Sequence, residues 1–496
     1  MRFNVIASAL FLVPCTLALV APSPHLQNKR STVVKEGVEY NVFEHAATGA
    51  KLEYVHNSGI CETTPGVNQY SGYLSVGENM NMWFWFFEAR QNASTAPLAA
   101  WFNGGPGCSS MIGLFQENGP CHFVNGSTEP SLNEYSFNEY ANVIYIDQPI
   151  GVGFSYGDDQ VTSTYTAAPY VWKLLQAFFD QFPQYESRDF AIFTESYGGH
   201  YGPEFASYIL DQNKGVANGS VTGDAINLVA LGINNGWIDA GIQEKAYIDF
   251  AVNNTYKQIL SSSDAQSYYS AYNDKCLPAV KQCESSGTNN ACINADNVCY
   301  DSIEGPISGA ADFNVYDVRL SANAVDPPET YVDYLARSDV KKAIGAKSNY
   351  SECPDAAYYK FSSTGDNPRS FVPELEAVIQ AGISTIVWAG DADWICNWVG
   401  NYDVAQTLDF SGASTYRNAS LEPYTVDGVE KGTFKTVDNF SFLRVYEAGH
   451  EVPYYRKSCP QHGYIGNKCT DLLVAEPEAA LQVFKQLISQ GRISST

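Results

Sequence analysis

One short segment limits the fold of this 496-residue chain more than any other. An apolar run over residues 190–193 leads almost directly to Ser196, and Gly198 and Gly199 follow at once. This pattern predicts a strand that ends in a tight turn presenting a serine, with glycines opening the next helix. Thr194 stands where the first glycine of such a turn usually lies, and its side chain crowds the turn. The segment therefore predicts a chain in which strands and helices alternate.

Five apolar runs along the chain, including this one, predict buried strands of a parallel sheet. They occupy residues 98–102, 143–146, 190–193, 385–388 and 442–446. A further strand is expected over residues 226–233, and helical patterns lie between the runs, as over 170–182. Open α/β sheets place their sites at the carboxyl ends of strands, where each of the five runs leads into polar residues. We therefore predict an α/β-hydrolase fold with a mostly parallel central sheet whose strand ends converge on one site.

The groups that follow the serine suit a serine hydrolase. Such an enzyme needs a histidine base and an acidic group that orients the base, and α/β-hydrolases carry them in the order Ser, Asp or Glu, His. Three histidines follow the serine. His200 is better placed to support the turn, and His462 lies in a polar loop between cysteines, whereas His450 follows a strand and is the expected base. Asp391 and Asp393 both follow a strand, and the pattern alone does not separate them.

The N-terminal segment has the features of a secretory leader. A mostly apolar stretch over residues 5–20 follows a basic start, and we predict a signal peptide over residues 1–18. Pro14 interrupts this stretch, which is already short for a membrane span of about 20 residues, so no membrane anchor is expected. Residues 19–30 end in Lys-Arg and are a candidate propeptide of a zymogen. Residues 31–496 would then form one soluble catalytic domain, secreted to the extracellular space or, as the alternative, sent to the vacuole.

Composition excludes several classes of function. The chain carries 29 basic and 54 acidic residues, a formal net charge of −25, which argues against nucleic acid and anionic membranes as partners. No linker or internal repeat divides it, so we expect one large domain with insertions. Residues 239–339 are polar and Cys-rich, and we predict that they form an insertion over the site. No Cys-x-x-Cys pair supports a metal site, and no cofactor is expected. The sequence carries no signal of oligomeric state.

Cysteines and glycosylation sequons both indicate the secretory pathway. Twelve cysteines less Cys15 of the signal peptide leave eleven, which predicts five disulfides and one free thiol in an oxidising compartment. Four of them are separated by six, eight and six residues, a symmetrical spacing that suggests nested bridges: Cys276, Cys283, Cys292 and Cys299. Cys459 and Cys469 are close enough to pair locally. Candidate glycan sites are Asn92, Asn125, Asn218, Asn253, Asn349, Asn418 and Asn439.

Several longer motifs resemble those of the serine carboxypeptidases, the family of carboxypeptidase Y. They cover residues 101–110, 117–120, 147–155, 195–199, 390–393 with 396–397, and 449–450. The likeness extends from about residue 70 to the C-terminal helix, and it is strongest to the secreted fungal branch called carboxypeptidase S1 homologues. Six motifs in the same order do not arise by chance. The resemblance implies the α/β-hydrolase fold and assigns roles to individual residues.

The roles implied by the resemblance fall into three groups. The expected nucleophile, acid and base are Ser196, Asp393 and His450. The expected oxyanion hole consists of the backbone N–H groups of Gly105 and Tyr197. The expected ligands of the substrate's C-terminal carboxylate are Asn103, the Gly104 amide, Glu117 and Glu195. Two glutamates can face an anion only if they share a proton, so peptide binding should be strongest in acid.

The resemblance also implies a disulfide pattern. It gives the bridges Cys276–Cys299, Cys283–Cys292 and Cys108–Cys353, and a free Cys396 near the site. Cys61 and Cys121 are then left to pair with each other.

The implied activity is that of a serine-type exopeptidase, active at acidic pH, which releases C-terminal amino acids from peptides and proteins through an acyl-enzyme. A carboxypeptidase-like acyltransferase or an esterase with the same triad is the alternative, whereas a binding protein without activity would be expected to have lost the triad. One position departs from the family: Glu451 directly follows the base, where carboxypeptidase Y types usually have Met. Glu451 is a candidate specificity residue that would favour Lys or Arg, replace Met when protonated, or turn away to a local partner.

Overall fold

The computed structural model of this protein describes residues 29–44, 51–124, 126–454 and 476–496. The predicted signal peptide, His462 and the predicted Cys459–Cys469 pair lie outside the described residues.

Sixteen strands are described. In chain order they are β1 (Lys29–Lys35), β2 (Val38–Glu44), β3 (Lys51–His56), β4 (Gln69–Gly77), β5 (Met80–Phe87), β6 (Leu98–Phe102), β7 (Cys121–His122), β8 (Ser131–Leu132), β9 (Asn142–Asp147), β10 (Tyr156–Gly157), β11 (Phe190–Glu195), β12 (Leu228–Asn234), β13 (Ser384–Gly390), β14 (Glu422–Val426), β15 (Val429–Val437) and β16 (Phe440–Val445).

Fourteen α-helices are described. They are α1 (Thr164–Gln181), α2 (Gly198–Asn218), α3 (Ala240–Val252), α4 (Ser262–Ala271), α5 (Leu277–Ser286), α6 (Asn289–Cys299), α7 (Gly305–Ala310), α8 (Thr330–Ala336), α9 (Ser338–Ile344), α10 (Asp355–Ser362), α11 (Val372–Gln380), α12 (Trp398–Thr407), α13 (Ala413–Asn418) and α14 (Glu476–Gln490). Short π-helical turns span Gly113–Glu117, Tyr272–Cys276 and Tyr300–Glu304, and short 3₁₀ turns span Phe137–Glu139 and Pro183–Tyr185.

One large mixed sheet forms the centre of the molecule, and its strand order is β1-β2-β3-β4-β5-β9-β6-β11-β12-β13-β16-β15-β14. The six strands from β9 to β16 pair in parallel, and the strands outside them pair antiparallel. The predicted α/β fold with a mostly parallel central sheet is confirmed. β6, β9 and β11 are buried along their whole length, as expected for parallel strands covered by helices on both faces.

Helix α1 begins six residues before the start that the sequence pattern predicts. Ser163 caps the helix, because its hydroxyl accepts the Thr166 N–H while the Thr166 hydroxyl accepts the Ser163 N–H. This reciprocal pair satisfies two N–H groups that the first turn would otherwise leave unpaired. Pro169 is the sixth residue of the helix, beyond the first turn, so the Tyr165 carbonyl lacks the N–H partner that another residue at this position would provide. The capping residues therefore set the helix start, ahead of the first strongly apolar positions.

The polar, Cys-rich region over residues 239–339 is mainly helical, containing α3 to α8. It meets the end of β13 through backbone hydrogen bonds. The Val318 N–H donates to Ala392 O (2.9 Å), and the Trp394 N–H donates to Val315 O (3.0 Å). The boundaries of the region and its role over the site stay predictions, but its backbone is joined to the strand end that carries the candidate acid.

At the N-terminal end of the described chain, β1 lies at the edge of the sheet. Lys29 and Arg30 are its first two residues, are exposed, and pair with Glu44 and Phe43 of β2. Cleavage at the predicted dibasic site would therefore fall within this edge strand. Within the ranges that the structure describes, no helix is both long and apolar enough to cross a membrane.

Candidate active site

Ser196 occupies a strained turn between β11 and α2. Its φ of +62° is in the left-handed region, which residues other than glycine adopt rarely. The turn is anchored because the Ser196 N–H donates to Asn234 O (3.0 Å) and the Ser196 carbonyl accepts from the Trp237 N–H (2.8 Å). Thr194, which crowds the turn, packs against Gly198, where an added Cβ would lie 2.5 Å from Thr194 Cβ. The glycine thus makes room for the threonine.

Asp393 and His450 form a buried hydrogen-bonded pair at the ends of β13 and β16. Asp393 Oδ2 lies 2.9 Å from His450 Nδ1. The same oxygen accepts from Asn235 Nδ2 (2.7 Å) and from the Cys396 N–H (3.1 Å). The His450 N–H donates to Tyr316 O (2.9 Å), which fixes the backbone beneath the ring. Because Asp393 engages Nδ1, Nε2 is the ring nitrogen left to act as a base.

Cys396 connects the serine to the acid. Its thiol hydrogen-bonds the Ser196 side chain, and its backbone N–H donates to Asp393. The residue is 4% exposed and forms no disulfide. Burial, and then the negative charges of Asp393 and Glu195, raise the pKa of the Cys396 thiol well above its usual value. The thiol is therefore neutral and fills the space beside the nucleophile.

Asp391 and His200, the other candidates of the sequence, have partners elsewhere. The Asp391 carboxylate accepts from Arg444 Nη2 and from the Glu447 N–H, both at 2.9 Å. His200 Nδ1 lies 2.6 Å from Trp237 O, and its other ring nitrogen also faces a backbone carbonyl. Both side chains hold the structure around the site, which leaves Asp393 as the acid beside His450.

Two glycines at the end of β6 bring the backbone close to the nucleophile. A Cβ on Gly104 would lie 2.7 Å from Ser196 Cβ and 2.3 Å from Tyr197 N. Gly105 has a φ of +111°, which glycine adopts without steric cost. This approach of one backbone segment to the amide that follows the nucleophile is what an oxyanion hole of two N–H groups requires.

Glu117 and Glu195, called the carboxyl pair below, are each 3% exposed, and Glu117 Oε2 is buried with no hydrogen-bond partner among the described residues. Asn103 joins them, because its Nδ2 donates to Glu117 Oε1 (2.9 Å) and to Glu195 Oε1 (3.2 Å). The orientation of this amide is fixed at its other end, where Asn103 Oδ1 accepts from Trp101 Nε1 (2.7 Å) and the Gly113 N–H (2.9 Å). The Asn103 donors are therefore held toward the pair.

Burial sets the protonation of the carboxyl pair. It raises the pKa of Glu117, and burial followed by the charge of Glu117 raises the pKa of Glu195 well above its usual value. Asn234 Nδ2 donates to Glu195 Oε2 at 3.0 Å, so a neutral donor and not a cation faces this carboxyl. Since two adjacent carboxylates repel each other, the pair retains one proton in acid and becomes doubly negative only as the pH rises.

Glu451 adds a third carboxyl to this part of the site. Burial and then the charge of Glu117 raise its pKa well above the usual value. Its Oε2 is buried and has no hydrogen-bond partner among the described residues. Glu117 and Asp326, two acids whose charges act on Glu451, line a cavity of about 630 Å³ together with Phe123 and Tyr454 among others. After burial, the largest influences on the Glu451 carboxyl are therefore the charges of other acids.

Four disulfides are present in the described residues. They are Cys61–Cys121, Cys108–Cys353, Cys276–Cys299 and Cys283–Cys292.

The sequons are not equivalent in the fold. Asn125 lies outside the described residues, and the exposed ones are Asn92, Asn218, Asn253, Asn349 and Asn418. Asn439 differs, because its Nδ2 donates to Ile379 O (2.9 Å) and Ile383 O (2.7 Å). A glycan on this nitrogen would break the two bonds, so Asn439 is the least suitable of the described sites.

Three residues that sequence reasoning missed support the site. Asn234 binds Glu195 and also donates to His450 O (3.0 Å). Asn235 binds Asp393 through Nδ2 and accepts the Gly390 N–H on Oδ1 (3.0 Å). Trp101 orients Asn103, as described above. Both asparagines lie at the carboxyl end of a strand that the sequence predicts. From this position they could have been identified as candidate site residues.

Comparisons with known proteins agree on one family. The model of the serine carboxypeptidase family, peptidase S10, matches residues 59–462. Carboxypeptidase S1 of Penicillium janthinellum is 67% identical over 89% of this chain and 100% of its own length. Carboxypeptidase Y of Schizosaccharomyces pombe is 38% identical over 78% of this chain and 40% of its own length.

Among solved structures, the chain is similar to Kex1Δp, a prohormone-processing carboxypeptidase from Saccharomyces cerevisiae. The match has a TM-score of 0.65 and 26% identity, and it covers 78% of this chain and 88% of that one. From the extent of these matches, the protein belongs to the serine carboxypeptidase family of hydrolases.

Proposed function

We propose that this protein removes amino acids one at a time from the C-termini of peptides and proteins. The observation that carries the proposal is the carboxyl pair, held by Asn103 beside the turn that presents Ser196. An endopeptidase or esterase would have no use for a buried group that binds a carboxylate at this position. The binding group therefore argues for a substrate with a free C-terminus.

The reaction would use the Asp393–His450 pair in two steps. Ser196 Oγ attacks the last peptide carbonyl while His450 Nε2 takes the serine proton, and the N–H groups of Gly105 and Tyr197 stabilise the oxyanion. The C–N bond then breaks, the leaving amino acid takes the proton from His450, and an acyl-enzyme remains. Water, deprotonated by the same histidine, hydrolyses the ester and restores the serine. Asp393 keeps the imidazole oriented throughout.

The substrate carboxylate would be held by Asn103, the Gly104 amide and the protonated carboxyl pair. In acid the pair carries one proton that it can donate to the anion, so binding is favourable. As the pH rises this proton leaves, and two negative charges repel the substrate carboxylate. We therefore propose that the enzyme acts on peptides at acidic pH, with the upper pH limit set by loss of the proton from the pair.

Glu451 is proposed to contact the side chain of the leaving residue. Its raised pKa keeps it neutral in acid, where it can stand in for an apolar wall, and its ionised form would favour Lys or Arg. The charges of Glu117 and Asp326, which act on its carboxyl and whose residues line the same cavity, support this position at the substrate over a purely structural role.

The protein is proposed to act outside the cytosol, secreted or vacuolar, after removal of its leader. Disulfides and exposed sequons support an oxidising compartment. Its partners would be peptide and protein C-termini.

The test is digestion of one peptide with a free C-terminus beside its amidated twin, in acid. We expect stepwise release of single residues from the free peptide and little release from the amide. Equal cleavage of both, or release of internal fragments, would contradict an exopeptidase. The Ser196→Ala variant is the control for contaminating proteases.

A further inference from the structure

His200 lies near the start of α2, four residues after the nucleophile, and its side chain is fully buried. Both of its ring nitrogens face backbone carbonyl oxygens. Nδ1 lies 2.6 Å from Trp237 O, and Nε2 lies 3.2 Å from Asn367 O. A carbonyl oxygen only accepts hydrogen bonds, whereas a neutral imidazole carries one N–H and one lone pair. The neutral ring can therefore serve only one of the two carbonyls, and the imidazolium serves both.

Each of these carbonyls belongs to a segment that holds the serine turn. The Trp237 N–H donates to Ser196 O (2.8 Å), so the bond from His200 to Trp237 O fixes the residue that anchors the nucleophile. The other carbonyl belongs to the residue after Asp366, whose Oδ2 accepts from the Tyr197 hydroxyl (2.8 Å). Tyr197 supplies the second N–H group of the expected oxyanion hole. His200 thus connects the segments that hold the nucleophile and the residue after it.

Asp366 provides the negative charge that a protonated His200 needs. Its side chain is fully buried, and Oδ2 also accepts from the Thr164 N–H (3.0 Å) and the Thr164 hydroxyl (2.7 Å). Its Oδ1 is buried and has no hydrogen-bond partner among the described residues. These donors are neutral. Because a buried carboxylate is unfavourable without an opposite charge or a full set of donors, the imidazolium of His200 stabilises it.

The titratable groups around the ring leave Asp366 as its charge partner. Burial lowers the pKa of His200, and the charge of Asp366 is the largest influence in the opposite direction. The Tyr197 ring, 4.5 Å from that of His200, is neutral, because burial and then the charge of Asp366 raise its pKa well above the usual value. Other titratable groups that interact with Asp366 or Tyr197 are Tyr165, Tyr201, Glu204 and Asp296. None of these four can carry a positive charge.

We propose that His200 is a positioning residue of the reaction, and that its imidazolium, balanced by Asp366, holds the serine turn and the Tyr197 N–H in the reactive geometry. This role rests on the proposed function, because it takes Ser196 as the nucleophile. In acid the ring donates to both carbonyls. When the proton leaves, the shorter contact at Nδ1 keeps the remaining N–H, and a lone pair then faces Asn367 O. The hold on the turn is weakened at that end.

This dependence on pH differs from that of the carboxyl pair in what it affects. The pair acts through the substrate's carboxylate, so it changes the binding of peptides alone. His200 acts through the turn, so loss of its proton slows every reagent that Ser196 attacks. An organophosphonate has no C-terminal carboxylate; Ser196 Oγ displaces its leaving group, and the phosphoryl oxygen occupies the oxyanion hole. Its rate of reaction therefore reports on the turn without the pair.

The experiment measures the second-order rate of Ser196 labelling by an organophosphonate between about pH 4.5 and pH 7. Wild type is compared with His200→Gln, a neutral side chain that can still donate to one carbonyl. The matched control is His56→Gln, the same substitution at an exposed histidine of β3. His200→Gln is also made together with Asp366→Asn, which removes the counter-charge and keeps an oxygen for the Tyr197 hydroxyl. Thermal unfolding checks that each variant is folded.

We expect wild type to react about tenfold faster than His200→Gln near pH 4.5, as for loss of one charged hydrogen bond, and at about the same rate near pH 7. His56→Gln should follow wild type throughout. With Asp366→Asn in both proteins, the advantage of His200 over Gln should disappear about one pH unit lower, because the imidazolium has lost its counter-charge. Taking the ratio of two proteins at each pH removes the pH effects that they share.

A ratio of wild type to His200→Gln that stays constant with pH would overturn the role of the imidazolium and leave the proposed function intact. The same would follow if the advantage disappeared at the same pH with Asp366 and with Asn at that position. Should His200→Gln fail to fold, Asp366→Asn is compared with wild type directly, and equal rates at every pH would overturn the inference. Failure of wild type to be labelled at Ser196 would overturn the proposed function as well.

Discussion

The carboxyl pair and the acids of the 239–339 region, Glu244, Asp296 and Glu304, lie on different parts of the fold, and different partners surround them. The pair has neutral donors from Asn103 and Asn234, and Glu117 Oε2 has no hydrogen-bond partner among the described residues. In the second group, Asp296 accepts from the Asn367 amide, and Glu244 Oε2 has no partner among the described residues. Each group thus leaves a buried carboxyl oxygen unpaired, and they differ in the donors that hold the other oxygens.

The two groups also differ in how they are positioned. The carboxyl pair stands on the end of β11 and on a π-helical turn beside β6, so the sheet fixes it together with the nucleophile. Asp296 stands on α6, which two nested disulfides tie to the preceding segment, and Glu244 on α3 lies within 4.8 Å of the sulfur atoms of one of them. The sheet therefore positions the carboxyl pair together with Ser196, whereas the acids of the 239–339 region are positioned by a disulfide-tied helical segment.

The largest expected effect comes from removing the hydroxyl group of Ser196. Ser196→Ala should lower kcat by at least about 10⁴-fold and abolish labelling by an organophosphonate, because no acyl-enzyme can form. The substitution leaves the donors of the carboxyl pair in place. A dipeptide should therefore still bind in acid with a Kd close to the wild-type KM. Calorimetry with the inactive variant measures this. Loss of binding together with activity would mean that the serine turn and the acidic groups are not separable.

Removing the donor shared by the carboxyl pair should weaken activity on peptides more than activity on amides or esters. Asn103→Leu removes the amide that donates to both carboxyls, and we expect kcat/KM for peptides to fall on the order of 100-fold, as for loss of hydrogen bonds to charged groups. Substrates with a C-terminal amide or ester should lose much less. Parallel assays of a peptide and its amide measure the difference, and thermal unfolding controls for the loss of the bond from Trp101. An equal loss on both substrates would assign Asn103 a structural role.

Variants of Glu451 test whether this residue contributes to the pocket for the side chain of the last substrate residue. Glu451→Met should lower the preference for Lys over Leu at the last residue by about fivefold near pH 6 and by less at pH 4, because the raised pKa of Glu451 leaves more of the wild-type side chain ionised at the higher pH. Glu451→Gln is the matched control that keeps shape without charge. The measurement is kcat/KM for dipeptides varied at the last position only. An unchanged preference at both pH values in both variants would remove Glu451 from the list of specificity residues.

A buried acid away from the site should affect stability and leave activity unchanged. Burial, with the charges of Glu374, Asp211 and Asp366, raises the pKa of Glu204 on α2 to about 8. Since this pKa is higher in the folded state than in the unfolded chain, the contribution to stability is full in acid and is lost as the pH rises toward 8. Glu204→Gln should therefore reduce the fall in Tm between about pH 5 and pH 8 by a few degrees. Glu186→Gln, an exposed change whose charge does not act on Glu204, is the control and should leave the slope as it is.

Much of the catalytic centre follows from local sequence. Strand periodicity and the serine turn predict the central strands and the order of groups at their ends, because both depend on residues close in sequence. The choice between Asp391 and Asp393 needed the fold, since it depends on which carboxyl meets Arg444 and which meets His450. The family resemblance had already pointed to Asp393.

Other features lie beyond local patterns. The antiparallel strands β1 to β5 are five of the fourteen strands of the sheet, yet their residues were not predicted as strands. Helices α5 and α6 bury few apolar side chains, and their disulfides form part of the core between them. The charges that act on Glu244 come from residues more than fifty positions away, and such a group of acids can be found only after the chain is folded.

The central claim is that a protonated carboxyl pair recognises the C-terminal carboxylate, and one measurement tests it most directly. For wild type, kcat/KM is determined between about pH 4 and pH 7 for a blocked dipeptide and its amide twin. The raised pKa values of Glu117 and Glu195 predict that the dipeptide-to-amide ratio falls about tenfold or more over this range, because the proton leaves the pair and the substrate anion is repelled. A ratio that stays constant with pH would contradict the claim, since the carboxylate would then be held by groups that do not titrate.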